Sequence, residues 1–138
     1  MKTIVLIDDS RLLRTLLEKD LMRAGYQVIT ATDGEHGLQT VQQHLPDVIL
    51  LDMLLPKMTG LDVLRVLKAD PGTRAIPVIV LTGLSKGNAE RLKSSGASAF
   101  FEKSDNNLQS GSANLIRVIE QVMANCRPEG ITARAAAN

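Results

Sequence analysis

The chain has 138 residues, a length typical of one domain that can bury a hydrophobic core. Its 16 basic and 15 acidic residues give a net charge of +1, which provides no electrostatic basis for direct binding to nucleic acid or to a membrane surface. Its apolar runs are too short to span a bilayer, its N-terminus does not resemble a secretory signal, and its single cysteine, Cys126, excludes an internal disulfide. These features predict a cytoplasmic protein.

Strand-like and helix-like segments alternate along the whole chain. Apolar runs without polar alternation, bounded by turn residues, are typical of parallel strands that are buried on both faces. Each strand is expected to be followed by a helix, and right-handed crossovers place these helices on both faces of one parallel sheet. The pattern leaves the order of the strands open. The five strands are predicted at residues 4–7, 27–31, 47–52, 77–82 and 97–102.

The first two helices have recognisable start and stop signals. Ser10 can cap the first helix, which Gly25 ends, and Asp33 can cap the second, which Pro46 closes. Helical spacing also predicts which side of each helix faces the core. The predicted inner residues are Leu12, Leu13, Leu16, Leu17 and Leu21 in the first helix and Leu38, Val41 and Leu45 in the second.

Three further helices complete the predicted order, which gives five βα units in one α/β domain. Residues 1–126 are expected to form this domain. Residues 127–138 show no packing pattern and are interpreted as a flexible tail or the remnant of a linker. The three remaining helices are expected at residues 61–67, 85–92 and 115–123.

Three of the predicted strands end on residues that can handle a cation or a phosphoryl group. Asp8 and Asp9 follow the first strand, Asp52 ends the third, and Thr82 ends the fourth. In an open α/β sheet the carboxyl ends of the parallel strands lie at one edge, where ligands bind. The sequence therefore predicts three carboxylates and a hydroxyl at one edge of the sheet.

Three carboxylates at one place would repel one another strongly. Two unit charges about 4 Å apart repel by roughly 4 kcal/mol at an effective dielectric constant of about 20. Bound protons or a bound cation would relieve this repulsion, and Mg²⁺ suits hard oxygen ligands while keeping water that a phosphate can displace. Taken singly, Asp8 or Asp9 is typical of a helix cap. Taken together with Asp52, they favour a cation site.

An ordered set of motifs resembles the receiver domain of bacterial two-component response regulators. The resemblance covers roughly residues 2–125. It implies a flavodoxin-like, doubly wound fold with a five-stranded parallel sheet in the order 2-1-3-4-5 and five helices. The motifs are Asp8-Asp9, the segment from Asp52 to Gly60, Thr82-Gly83 and Lys103.

The resemblance also implies a magnesium site beside a phosphoryl acceptor. Asp52 would accept the phosphoryl group. Asp9 would hold Mg²⁺ directly, together with Asp52 and the backbone carbonyl of Leu54. Asp8 would contribute either directly or through a metal-bound water.

In the same family, a hydroxyl, a lysine and an aromatic side chain respond to the phosphoryl group. Thr82 would donate its hydroxyl to a phosphoryl oxygen, and Lys103 would pair with the acyl phosphate. On phosphorylation Thr82 would move towards the new charge, and Phe100 would rotate into the vacated space. Ser104 stands where the family usually has a proline, so a cis peptide bond is not expected there.

The function that this resemblance implies is Mg²⁺-dependent phospho-acceptance from a histidine kinase or a phosphotransfer protein. Phosphorylation would switch a face made of the helix at 85–92, the last strand and the last helix, which a downstream effector protein or a second copy would bind. Such a domain does not turn over external substrates.

Two alternatives stay open: an interaction module that works without phosphorylation, and an aspartate-nucleophile phosphatase. The phosphatases have Asp-x-Asp where this chain has Asp8-Asp9-Ser10.

Overall fold

The computed structural model of the protein describes residues 2–82, 96–102 and 113–125. The strands are β1 (Thr3–Ile7), β2 (Gln27–Ala31), β3 (Val48–Asp52), β4 (Val78–Thr82) and β5 (Ala99–Glu102). The helices within those ranges are α1 (Arg11–Arg23), α2 (Gly34–His44), α3 (Gly60–Ala69) and α4 (Ala113–Asn125). All five predicted strands are confirmed, the largest shift being the later start of β5. The helix predicted at 85–92 and the tail at 127–138 lie outside the described residues.

The strands form one parallel, flavodoxin-like sheet in the order β2-β1-β3-β4-β5, which is the order that the family resemblance implies. The chain leaves β1 towards β2 and later returns to β3 on the other side of β1. This reversal opens a crevice at the carboxyl ends of β1 and β3, because the two connections diverge. Ile7 aligns with Leu51, so Asp8 and Asp52 follow at neighbouring positions on the two strands.

The central strands are buried by helices on both faces of the sheet. In β1, Ile4 and Leu6 pack with residues of α1 and α4, whereas Val5 and Ile7 pack with residues of α2 and α3. Every residue of β3 and β4 is buried. Burying one such side chain contributes about 1.5–3 kcal/mol. Burial on both faces explains the unbroken apolar runs, and it holds the strand ends rigidly at the crevice.

In α1, two of the five predicted inner residues are wrong. Ser10 caps the helix as predicted, since its hydroxyl accepts a hydrogen bond from the Leu13 N–H at 3.3 Å. Leu13, Leu17 and Leu21 are buried, but Leu12 is 81% exposed and Leu16 is 38% exposed. Residues four apart form one row along a helix, and the row through Leu12 and Leu16 lies about 100° around the axis from the buried row. The sheet covers only one of these two rows.

In α2, the cap is confirmed and one inner residue is wrong. The Asp33 carboxylate accepts a hydrogen bond from the His36 N–H at 2.8 Å, and Val41 is buried as predicted. Leu45, predicted on the inner face, is 59% exposed. Leu45 is the C-cap, with a left-handed φ of 45°, so its side chain leaves the face that Val41 occupies.

The other two described helices follow their predicted patterns. α3 begins at a reciprocal cap, in which the Asp62 N–H donates to the Thr59 hydroxyl at 3.2 Å and the Thr59 N–H donates to the Asp62 carboxylate at 3.1 Å. Leu115 and Ile119 of α4 are buried. Among the described helices, none combines the length and the apolar character that crossing a membrane requires.

The two leucine rows of α1 can be told apart by truncation. We expect Leu17→Ala to lower the free energy of unfolding by about 2–4 kcal/mol, because it leaves a cavity in the core. Leu12→Ala should change it by less than about 0.5 kcal/mol, because that side chain faces solvent. The helix propensity change is the same in both variants. Urea denaturation measures both values, and a Leu12→Ala cost equal to that of Leu17→Ala would contradict the observed packing.

Candidate functional site

The turn between β1 and α1 fixes the first aspartate from two sides. Asp8 is fully buried. Its N–H donates to the Ala31 carbonyl of β2 at 3.1 Å, and its Oδ1 accepts from the Ser10 N–H at 2.8 Å. Because Ser10 is the N-cap of α1, the sheet and the helix both hold Asp8. Asp9 lies between Asp8 and the helix and is exposed to solvent.

Asp52 is the last residue of β3 and is 4% exposed. Its Oδ1 accepts a hydrogen bond from the Leu54 N–H at 3.2 Å, so the chain that follows the strand orients the carboxylate. Strand pairing continues past this point, since the Met53 N–H donates to the Leu81 carbonyl at 3.0 Å. The Leu54 side chain is 70% exposed, and it is the main-chain N–H of Leu54 that bonds to Asp52.

The structure brings the three predicted carboxylates together. One oxygen from each of Asp8, Asp9 and Asp52 lies within 4.8 Å of the other two. Two of these aspartates are buried and Asp9 is exposed, so the cluster opens to solvent on one side. Three hard oxygen donors with an open side fit a cation such as Mg²⁺, which keeps several waters beside its protein ligands. The donor set therefore suits the ion that the sequence predicts.

Thr82 lies on β4, the strand beside β3, and Phe100 lies on β5, one strand further from the cluster. Thr82 ends β4 and is 5% exposed, and β4 pairs with β3 through Asp52 and Leu81. Phe100 pairs with Val80 of β4 and packs, partly buried, against the core formed with α2 and α3. Since alternate residues share a face, Thr82 points to the same side of the sheet as Val80 and Phe100. The predicted site residue Lys103 lies outside the described residues.

The loop after Asp52 contains a tight turn in a rarely used conformation. Lys57 has a φ of 70°, and the Met58 N–H donates to the Pro56 carbonyl at 2.7 Å. A hydrogen bond from residue i+2 to residue i around a positive φ describes a γ-turn, which is strained for a residue with a side chain. This turn reverses the chain sharply between β3 and α3.

Gly60 then anchors the end of this loop against the acceptor strand. The Gly60 N–H donates to the Met53 carbonyl at 2.9 Å. A Cβ atom at Gly60 would lie 2.6 Å from the backbone oxygen of Asp52 and 2.8 Å from the Met53 Cα. Only glycine permits so close an approach of the start of α3 to the backbone of Asp52.

Gly60 and Arg14 both contact the backbone of the site in ways that the sequence pattern does not predict. Arg14 Nη1 donates to the backbone carbonyl of Asp8 at 2.9 Å. The sequence does contain a clue to the Arg14 contact. The carbonyl at the end of a buried strand needs a hydrogen-bond donor, and the nearest donor side chains lie in the helix that follows. For Gly60 the sequence offers only a glycine at a helix start, which is common without any close contact.

The chain matches the family model described as the response regulator receiver domain over residues 4–110. It is 44% identical over 102 residues to the response regulator PleD of Caulobacter vibrioides, a match that covers 72% of this chain and 22% of PleD. It is 35% identical over 103 residues to the polar-differentiation response regulator DivK of Brucella anthropi, covering 74% of this chain and 84% of DivK. The chain thus spans less than a quarter of the length of PleD.

Solved structures share the same fold. The receiver domain of the sensor histidine kinase PA1611 from Pseudomonas aeruginosa, described with a magnesium ion coordinated in its active site cleft, matches with a TM-score of 0.79 and 26% identity, covering 90% of this chain and 98% of that one. The chemotaxis protein CheY4 of Vibrio cholerae matches with a TM-score of 0.78 and 28% identity, covering 88% and 98%.

The contact at Gly60 predicts a costly glycine substitution beside the site. Gly60→Ala should lower the free energy of unfolding by about 1–3 kcal/mol, because the new methyl group meets backbone atoms that cannot rotate away. This cost exceeds the gain in helix propensity, at most about 1 kcal/mol. Gly72→Ala is the control, since its Cβ would meet only the Asp70 side chain, at 3.4 Å. Chemical denaturation compares the two, and equal stabilities would contradict the prediction.

Proposed function

This chain belongs to the response regulator receiver domain family, and from that premise we propose that it accepts a phosphoryl group on Asp52 in two-component signal transduction. The observation that carries the proposal is the cluster of Asp8, Asp9 and Asp52, whose oxygens lie within 4.8 Å of one another at the crevice between β1 and β3. Asp52 is central to the proposal because the loop that follows it orients its carboxylate.

The proposed reaction moves one phosphoryl group from a donor to Asp52. A carboxylate oxygen forms a bond to phosphorus while the P–N bond to a donor histidine breaks, and the electron pair of that bond stays on the histidine nitrogen. Phosphoryl transfer depends mainly on positioning and charge neutralisation. The hydrogen bond from the Leu54 N–H to Oδ1 of Asp52 provides part of the positioning.

We further propose that Asp8, Asp9, Asp52 and the backbone carbonyl of Leu54 hold Mg²⁺. The ion, when bound, supplies the positive charge that offsets repulsion between the carboxylates and the incoming phosphoryl group. The donor set and its open side support this assignment, as does the magnesium ion described in the receiver domain of PA1611.

The remaining proposed residues respond to the new charge. Thr82 donates its hydroxyl to a phosphoryl oxygen, and Lys103 pairs with the acyl phosphate. Phe100 then moves into the space that Thr82 leaves. The shared face of Thr82 and Phe100 on neighbouring strands supports the coupling. For Lys103, the support is its place within the segment that matches the family.

The proposed partners follow from this chemistry. A histidine kinase or a phosphotransfer protein supplies the phosphoryl group, and a downstream effector protein or a second copy binds the face formed by the 85–92 segment, β5 and α4. Phosphorylation shifts the conformational equilibrium only as far as the partner's affinities for the two states differ. The output is therefore a change in binding in the cytoplasm, not turnover of an external substrate. Residues 1–126 are the proposed domain and 127–138 a tail or linker.

Phosphoryl acceptance is tested with a small phosphodonor. Acetyl phosphate and Mg²⁺ should add about 80 Da, one phosphoryl unit, to the intact protein. Asp52→Asn should abolish the adduct, because an amide oxygen is a much weaker nucleophile than a carboxylate. Asp47→Asn, at the opposite edge of the sheet, is the control and should retain the adduct. An unmodified wild type would favour an interaction module that works without phosphorylation, and an adduct on Asp52→Asn would place the acceptor elsewhere.

Cation binding predicts that the order of stability of the wild type and Asp9→Asn reverses when Mg²⁺ is added. In buffer that contains a chelator and no Mg²⁺, Asp9→Asn should unfold at a higher temperature than the wild type, because one of three mutually repelling carboxylate charges is gone. With Mg²⁺ at about 100 times its Kd, the wild type should gain roughly 2.7 kcal/mol and become the more stable of the two. Thermal unfolding in both buffers gives the comparison.

The control for this reversal is Glu120→Gln, which removes the same charge from the exposed surface of α4. Its response to Mg²⁺ should equal that of the wild type. A stability of the wild type that does not depend on Mg²⁺ would contradict the cation site, even if the acidic cluster is formed as described.

A further inference from the structure

Arg14 reaches from the second turn of α1 to the main chain of the acidic cluster. Its Nη1 donates to the backbone carbonyl of Asp8 at 2.9 Å, and the contact is partly buried. Asp8 itself is fully buried, so water has little access to this carbonyl. The guanidinium thus supplies a donor to this carbonyl at the point where the chain leaves β1.

Besides Arg14, two main-chain groups bond to Asp8 from other directions. The Ala31 carbonyl of β2 accepts from the Asp8 N–H, and the Asp8 carboxylate accepts from the Ser10 N–H. Arg14 is the third partner and the only side chain among these three. Because the bond of Arg14 is to the carbonyl that joins Asp8 to Asp9, it acts on the peptide group between two carboxylates of the cluster.

Asp9 needs this support more than the other two aspartates do. Asp8 and Asp52 are buried and packed within the sheet edge, whereas Asp9 is exposed. Its position is set by the peptide group before it and by the start of α1 after it. A carboxylate on a loosely held turn would lose conformational freedom on binding a cation, and this entropic cost would weaken the binding.

We propose that Arg14 is a positioning residue for the cation site: by holding the Asp8 carbonyl, it keeps Asp8 and Asp9 in the arrangement that binds Mg²⁺. This inference rests on the proposed function, since it concerns the same cluster. In this role Arg14 acts through the main chain of Asp8. Its planar guanidinium offers several donors in a fixed geometry, which suits it to hold a main-chain carbonyl.

The alternative explanation is that Arg14 acts on the three carboxylates through its positive charge alone. The chain contains a matched control for this charge effect. Arg11 is the first residue of α1 and is exposed. It carries the same charge as Arg14 at the same end of the same helix. Arg11→Ala therefore removes a comparable positive charge and leaves the bond to the Asp8 carbonyl in place.

The test is an Mg²⁺ titration read by the rise in unfolding temperature, which does not depend on activity. Arg14→Ala should raise the half-saturating Mg²⁺ concentration by about ten- to a hundredfold, the usual effect of losing an outer-shell support. Arg14→Lys should recover part of this loss, because its ammonium can donate one hydrogen bond. Arg11→Ala should titrate like the wild type. Phosphorylation of Arg14→Ala by acetyl phosphate should need correspondingly more Mg²⁺. Its rate should approach that of the wild type once Mg²⁺ is saturating.

Each other outcome has a distinct meaning. If Arg14→Ala only lowers the unfolding temperature and its Mg²⁺ midpoint equals that of the wild type, Arg14 is merely structural and the inference is overturned. Equal shifts in Arg14→Ala and Arg11→Ala would overturn it in favour of charge alone. A wild type without any Mg²⁺ response would reject the proposed cation site itself. Should Arg14→Ala not fold, Arg14→Gln and Arg14→Lys take its place in the same comparison.

Discussion

Mutual repulsion among Asp8, Asp9 and Asp52 is the constraint on which the rest of this molecule depends. Like charges about 4 Å apart cost several kcal/mol in a partly buried setting. The fold nevertheless holds their oxygens within 4.8 Å of one another. Burial of the sheet on both faces offsets that cost, since β3 and β4 are buried along their whole length. The packing of the sheet thus places the three carboxylates side by side.

The geometry of the cluster comes from topology and is completed by short-range contacts. The order β2-β1-β3 makes β1 and β3 neighbours, although an intervening strand and two helices separate them along the chain. Local bonds then set the side chains: the Ser10 N–H holds Asp8, and the Leu54 N–H holds Asp52. Both of these donors are main-chain N–H groups, so these two contacts do not depend on the mobility of a donor side chain.

The family match and the geometry of the site support different statements about function. The match over residues 4–110 establishes a receiver domain, and the sheet order agrees with it. The proposed phosphoryl acceptance and the proposed coupling of Thr82 to Phe100 concern individual side chains of this chain. These side chains lie on the adjacent strands β4 and β5 and point to the same side of the sheet, where Phe100 pairs with Val80, two residues before Thr82.

The sequence by itself determined the strands, the caps at Ser10 and Asp33, and the acidic residues at the strand ends, because each depends on its near neighbours in the chain. Only the tertiary structure decided which leucine row of α1 is buried, since both rows carry leucines and the sheet covers only one of them. It also decided that Leu45 turns outward, and that Gly60 and Arg14 touch the backbone at Asp52 and Asp8. Helical spacing specifies faces relative to one another, whereas packing between elements selects the face that is covered.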